Sequence, residues 1–538
     1  MKKTSPDANS GKFFKKKDCD FLLEVSFMWN EGYFTEDTYT YGYYRDISPF
    51  FQRYCLLLHG YDVRTADETA CHCELGFGQG VSVNIHAAAV PGRWTGTDFN
   101  PAHAAHANLL CEAAQTGAQF WDCSFAEMLE RTDIPLFDSI SLHGIWSWIS
   151  RENQAHVVEF IRRYLKPGGV VYNSYNCFPG WAASHPLREL LLLQDKYIRS
   201  DSGSADRVAD VLKFADNVLK ANPVYAERNK DLANRIEKLR NHDAHYIAHE
   251  YLNRDWIVMY FTEEAEMMQE AKLDYACTTE LLDALDDADD LNFTNEAKQF
   301  LLSIKHPLVR EEIRDYYINR QFRKDLYIKG ARKLNPREQV RRILGTKYVL
   351  LKTGPDALKC TGYNKSLAIK EEWTKQIVDY LAADNRSPKD FTGFLETHPE
   401  IPERILLVFI KAMVRTETFA PCQPDKTVEK AKPYCDRLNH YICEGSLLEE
   451  KINYLASPLT GCGVGVDRIQ QMFLHLLRKG FDKKEIIGEV QRILSSQGQR
   501  LLKDGKPLNE VDGLKELQKK FKNFESETRP LLQVLRIE

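Results

Sequence analysis

Along the chain the apolar positions change their period, and the change divides it into segments. Between about 48 and 175 short apolar runs alternate with helical stretches, the pattern of successive βαβ units. The runs predict strands at about 69–75, 93–98, 118–122, 136–142 and 170–175, with helices between them. From about 185 to 252 the period is helical and the polar positions are densely charged. A helix capped at Thr262 then leads into an apolar run at Tyr275, and this pair reads as the last piece of the same sheet. The charged helices at 185–252 are therefore expected to be an insertion. Residues 291–355 read as a helical middle domain whose basic side chains, Arg310, Arg314, Arg320, Arg323 and Lys324 among them, suit a solvated helix face. Residues 356–538 read as a mainly helical domain, broken by Pro and Gly at 421–424 and 458–465. The expected class is α/β: a doubly wound, mostly parallel sheet with an α-helical insertion and additional mainly helical domains.

A chain of 538 residues exceeds what one core supports, so several domains are expected. The net charge of -5 gives no basic footprint, and no nucleic-acid partner is expected. No apolar stretch approaches the length of a membrane span and the lysine-rich start lacks an apolar segment, so no membrane partner and a cytoplasmic location are expected. Thirteen cysteines without framework spacing read as free thiols in a reducing compartment. Cys71-His72-Cys73 lacks the spacing and the second pair of a zinc site, and no metal is expected.

The chemistry concentrates where predicted strands end. Glu74-Leu75-Gly76-Phe77-Gly78-Gln79-Gly80 follows an apolar strand and opens a helix, so backbone N–H groups without helical partners face a close-approaching ligand. Counted from Gly76 and Gly78, the third glycine of the dinucleotide fingerprint falls on Val81, a departure from that pattern. Asp98, beside Phe99 at the end of the next strand, is placed to accept ribose hydroxyls, which suits S-adenosylmethionine (SAM) as well as NAD. One strand later Asp122 can meet an adenine amine, with Cys123, Ser124 and Phe125 beside it to cover the ring.

These motifs resemble those of class I SAM-dependent methyltransferases, with Leu165-Lys166-Pro167-Gly168-Gly169 as the turn before the fifth strand. The resemblance implies a seven-stranded sheet, SAM as cofactor, Glu74, Gly76, Phe77, Gly78 and Gly80 around its methionine part, Asp98 on the ribose and Asp122 on the adenine. A narrower likeness rests on Phe137–Trp148, Asn173–Trp181, His249–Asn253 and Phe322–Leu326. These segments look like signatures of bacterial methyltransferases carrying a methyltransferase regulatory domain, a group that includes rickettsial lysine methyltransferases acting on outer-membrane surface proteins. The chain has Trp146 where that group has Tyr, and Ser150 where Pro is common.

Methyl transfer asks the protein to align a nucleophile with a sulfonium carbon and to keep the nucleophile unprotonated. Desolvation lowers a lysine pKa, and aromatic faces hold its cationic forms. An acceptor pocket is accordingly expected from His143, Trp146 and Trp148 after the fourth strand and Tyr175, Asn176 and Trp181 after the fifth. Catalytic roles are expected for His143, Trp146, Tyr175 and Asn176, and His143 reads equally as a structural imidazole. His143 also counts among the expected cofactor contacts. Tyr41, with the tyrosines at 39, 43 and 44, is expected to lid the cofactor, so residues 1–45 form a tail and lid and 46–290 the catalytic domain. The leading function is methylation of protein lysines, with a protein substrate and a homodimer as possible partners. The alternatives are methylation of a small metabolite or cell-surface precursor and a non-catalytic SAM-sensing scaffold.

Overall fold

The structure, a computed structural model, describes residues 41–538 apart from 64–66, 199–203, 222, 242–243, 282–291, 355–357, 362–365 and 504. Of the expected lid, Tyr39 and everything before it lie outside the described residues.

The alternating half folds as its periods require. Strands β1 (Cys71–Leu75), β2 (Arg93–Thr97), β3 (Gln119–Trp121), β4 (Phe137–Leu142) and β5 (Leu165–Asn176) join β6 (Asp274–Thr278) and β7 (Phe322–Ile328) in a seven-stranded sheet of order β3-β2-β1-β4-β5-β7-β6. Strands β1 to β5 run parallel, and β7 is antiparallel to both neighbours. Helices cover both faces: α1 (Pro49–Leu58), α2 (Val81–Ala89) and α3 (Pro101–Ala114) on one, α4 (Phe125–Glu130) and α5 (Arg151–Tyr164) on the other. Strand order reverses between β1 and β4, so their carboxyl ends splay apart there and open a crevice.

The insertion lies between β5 and the helix that precedes β6. Helices α6 (His185–Tyr197), α7 (Ser204–Lys220), α8 (Val224–Arg228), α9 (Leu232–Arg240) and α10 (Ala244–Tyr251) enclose a core of their own, with Trp181, Leu191, Val211, Ile236 and Tyr251 in it. Helix α11 (Phe261–Glu270) returns the chain to the sheet.

The middle segment departs from its expected helical character. Strand β7 is inserted between β5 and β6, so a boundary at 290 falls within the sheet. Arg314, Arg320 and Arg323 face carboxylates rather than water, whereas Arg332 stays exposed. Arg323 is 1% exposed; its Nη1 donates to both carboxylate oxygens of Asp315 at 2.7 Å, its Nε to Asp325 at 2.7 Å and its Nη2 to Glu311 at 2.8 Å. Arg314 and Arg320 are buried beside it, Arg320 donating to Asp315 at 2.7 Å. The solvated basic face is thus corrected to a buried ion network, tolerable only because each charge keeps its partners.

The C-terminal half is mainly helical and shares its core with the sheet's helices. The helix Asp425–Gly445 packs on α2 and α3, placing Cys435 and Leu438 in one apolar cluster with Val81, Ile85, Ala88 and Leu110. Among the described residues no helix is long and apolar enough to cross a membrane.

Candidate active site

A cavity of about 1140 Å³, counted out to its mouth, occupies the crevice beyond β1, β2 and β4. Its lining includes Glu74, Gly76, Phe77, Gly78, Asp98, Phe99, Cys123, Ser124, Phe125, His143 and Trp148, all singled out in the sequence.

The glycine turn is built for close approach. Gly76 has φ +74°, and a Cβ there would stand 2.3 Å from Cδ1 of Ile145. At the start of α2, Gly80 has φ +72°, and its Cβ would meet Ala107 of α3 at 2.4 Å. Gly80 does not line the cavity; its missing side chain lets the two helices close together.

Asp98 ties the turn to the second strand. Its Oδ2 accepts from the Gly78 N–H at 2.8 Å, while Oδ1 accepts from the Asn100 N–H at 3.1 Å and faces His103 Nδ1 at 3.0 Å. A carboxylate has about four acceptor sites, so one remains for a ligand hydroxyl. His103 was not singled out in the sequence, yet it lines the cavity, is 5% exposed, and keeps a buried Nε2 without a hydrogen-bond partner. With Nδ1 donating to Asp98, that Nε2 is an acceptor beside the carboxylate. A glycine-lined turn, a carboxylate with a spare lone pair and an orphaned buried acceptor fit the ribose and methionine parts of SAM. Beside them, burial and the neighbouring Asp98 hold the Glu74 carboxyl well above the usual carboxylate range.

At the other end of the cavity His143 lies stacked under Tyr44, ring centroids 3.8 Å apart, and parallel to Tyr172. Burial pushes its pKa down to about 4, so the ring is neutral at pH 7. Its Nδ1 is 2.8 Å from the hydroxyl of Tyr172 and 3.4 Å from Oγ of Ser174, so two hydroxyls of β5 hold the ring. Trp148, Asn153 and Asp255 also line the cavity.

Several expected residues stand elsewhere. Trp146 is fully buried in the core against α5, where its carbonyl accepts from Gln154. Tyr175 is fully buried too, donating to Asp325 Oδ2 at 2.8 Å. Asn176 accepts the indole N–H of Trp181 at 3.1 Å, and Trp181 belongs to the core of the insertion. The structure does not bring these four to the cavity. Asp122 is exposed outside the lining at the end of β3. Of the tyrosines, Tyr44 lines the cavity, Tyr43 accepts from the Gly463 N–H in the C-terminal half, and Tyr41 stands edge-on to His106.

Comparison with known proteins places this geometry. Residues 73–169 match the family model described as a methyltransferase domain, and 243–329 the one described as a predicted methyltransferase regulatory domain. An uncharacterized protein of Synechocystis sp. is 32% identical over 517 residues, spanning 95% of this chain and 99% of that protein. The chain belongs to the SAM-dependent methyltransferases that carry a methyltransferase regulatory domain. A further uncharacterized protein, from Rickettsia prowazekii, is 25% identical over 268 residues, 49% of this chain and 46% of that one. The structure of PKMT2 from Rickettsia typhi, solved with AdoHcy, shares the fold of this methyltransferase over 94% of this chain and all of that one, at 18% identity and a TM-score of 0.68. Within the chain the regulatory match contains α11, β6 and β7, so it supplies two strands of the catalytic sheet.

Proposed function

We propose that this methyltransferase transfers the methyl group of SAM to a lysine side chain of a protein. The observation that carries the reading is the cavity lining, which combines the aromatic rings of Trp148 and Tyr44 with Asp255, a carboxylate whose Oδ2 also accepts from Arg254 at 2.8 Å. A carboxylate draws an ammonium to the mouth, and aromatic faces hold the cation before and after transfer. The resemblance of the 137–148, 173–181, 249–253 and 322–326 segments to rickettsial lysine methyltransferases supports the same acceptor.

SAM supplies an electrophilic methyl on sulfur. Asp98 and His103 are the groups that would hold its ribose, and the turn at Gly76 and Gly78 its methionine part. Trp148 and Tyr44 strip water from the incoming amine, which lowers its pKa and favours the free base. The amine's proton leaves to solvent past Asp255, which lines the cavity and is half-exposed. Expected catalytic roles for Trp146, Tyr175 and Asn176 become roles in supporting the walls.

Tritiated SAM incubated with the enzyme and a bacterial lysate, followed by acid hydrolysis of the protein fraction, tests the reading. Label in methylated lysine is the expected result. Label confined to small molecules, or none at all, overturns it.

A further inference from the structure

Outside the cavity, one groove is lined mainly by cations and carboxamides. It lies between α8, α9 and the turns that follow β5 and precede β7, and measures about 1360 Å³ out to its mouth. Arg228, Lys230, Arg235 and Lys238 line it against one carboxylate, Asp231. Among the described residues none of the four cations forms an ion pair. The neighbouring acids are engaged elsewhere, Glu237 with Arg240 and Glu189 with Arg188.

Arg235 is held in place without being neutralised. Its Nη1 donates to Ser184 Oγ at 3.0 Å, its Nη2 to the Tyr251 hydroxyl at 3.3 Å, and its guanidinium lies 4.1 Å from the ring centroid of Trp181. Three neutral groups thus fix a half-buried cation and leave its charge uncompensated. The lining also includes the carboxamides of Asn229, Asn234, Asn319 and Gln321, which both donate and accept and so match a peptide backbone.

A short path joins this groove to the acceptor end of the cavity. Trp181, under Arg235, donates to Asn176, whose backbone N–H donates to Ser147 Oγ at 2.8 Å; Ser147 adjoins Trp148 in the cavity wall. Both openings lie at the carboxyl end of β5 and its neighbours.

Resting on the proposed protein acceptor, we propose that this groove binds an acidic segment of the acceptor protein and so presents a nearby lysine to the cavity. A nucleic acid suits it less: the chain carries a net charge of -5, and the cations sit in one notch rather than along a track. The helical insertion then reads substrate, and the sites of methylation are lysines near clusters of Asp and Glu.

Fluorescence polarisation of a labelled peptide with one lysine among glutamates, against the same peptide with glutamines, tests this. The full-length enzyme should bind the glutamate peptide about tenfold more tightly at low salt, the difference shrinking as salt rises. Arg228→Gln, Lys230→Gln and Lys238→Gln combined, all exposed positions, should abolish the difference while calorimetric SAM affinity stays unchanged. Equal binding of the two peptides, or a preference that survives in the triple variant, overturns the proposal. Tighter binding of a single-stranded oligonucleotide than of the glutamate peptide also overturns it, by assigning the groove to phosphates. The tritium experiment keeps the two readings apart: label in lysate protein that the triple variant transfers equally well leaves the lysine reading standing and removes the groove.

Discussion

His103 Nδ1 lies 3.0 Å from Oδ1 of Asp98, so one imidazole orients the carboxylate expected to hold the cofactor's ribose and offers its own buried Nε2 beside it. Removing either group removes a ligand partner, and removing Asp98 also frees the Gly78 N–H of the turn. Asp98→Ala is expected to weaken SAM binding about 10- to 100-fold, and His103→Ala about fivefold to tenfold. Isothermal calorimetry checks both; unchanged affinity in Asp98→Ala rejects the cradle.

Gly76 and Gly80 should respond differently to alanine. Both need a left-handed backbone that costs a side chain about 1–2 kcal/mol. At Gly76 the obstacle is the tip of Ile145, which can swing away, so cofactor affinity falls while the fold survives. At Gly80 it is the Cβ and Cα of Ala107, and the helices must part. Gly80→Ala is expected to lose about 2–5 kcal/mol in urea unfolding, more than Gly76→Ala.

Tyr175 donates to an oxygen of Asp325 that also accepts from Arg323. Tyr175→Phe should therefore cost about 1–2 kcal/mol of stability while kcat per folded molecule stays near wild type. Arg323→Ala strands Asp315 and Asp325 and should cost about 3–5 kcal/mol. A kcat in Tyr175→Phe that falls while the urea midpoint holds would return this phenol to the chemistry.

Acid should destabilise the protein through its buried histidines. Burial depresses His143 and His59 to about 4. Because the unfolded chain binds protons near pH 6.5 and the folded one does not, stability is present above that value and is lost as pH falls toward 4. Each histidine contributes about 2 kcal/mol to the loss between pH 7 and pH 5. Urea midpoints at the two pH values check this, and His143→Gln should flatten the dependence.

The parallel strands were legible because short runs alternate with helical stretches along the chain and their ends carry Gly76, Gly78 and Asp98. Strand β7 was not, since Phe322-Arg323-Lys324-Asp325 has the composition of a surface and acquires its burial only from Asp315 and Glu311 on another element. Trp146 and Trp148 part because a tight 3-10 turn points residues two apart in different directions. Along β5 the alternation of faces sends Tyr172 toward His143 and Tyr175 to the opposite core. His103, Asn153 and Asp255 carry no motif of their own; only the folded chain sets them around one space.

The packing of Asp425–Gly445 on α2 and α3 sets a limit on dissection. A fragment ending before this helix would bare Val81, Ile85 and Ala88 on the very helix that begins at the glycine turn, and Leu110 on α3. Such a truncated enzyme would expose an adhesive apolar wall next to its cofactor cleft, so the smallest piece able to work alone includes the distal helices.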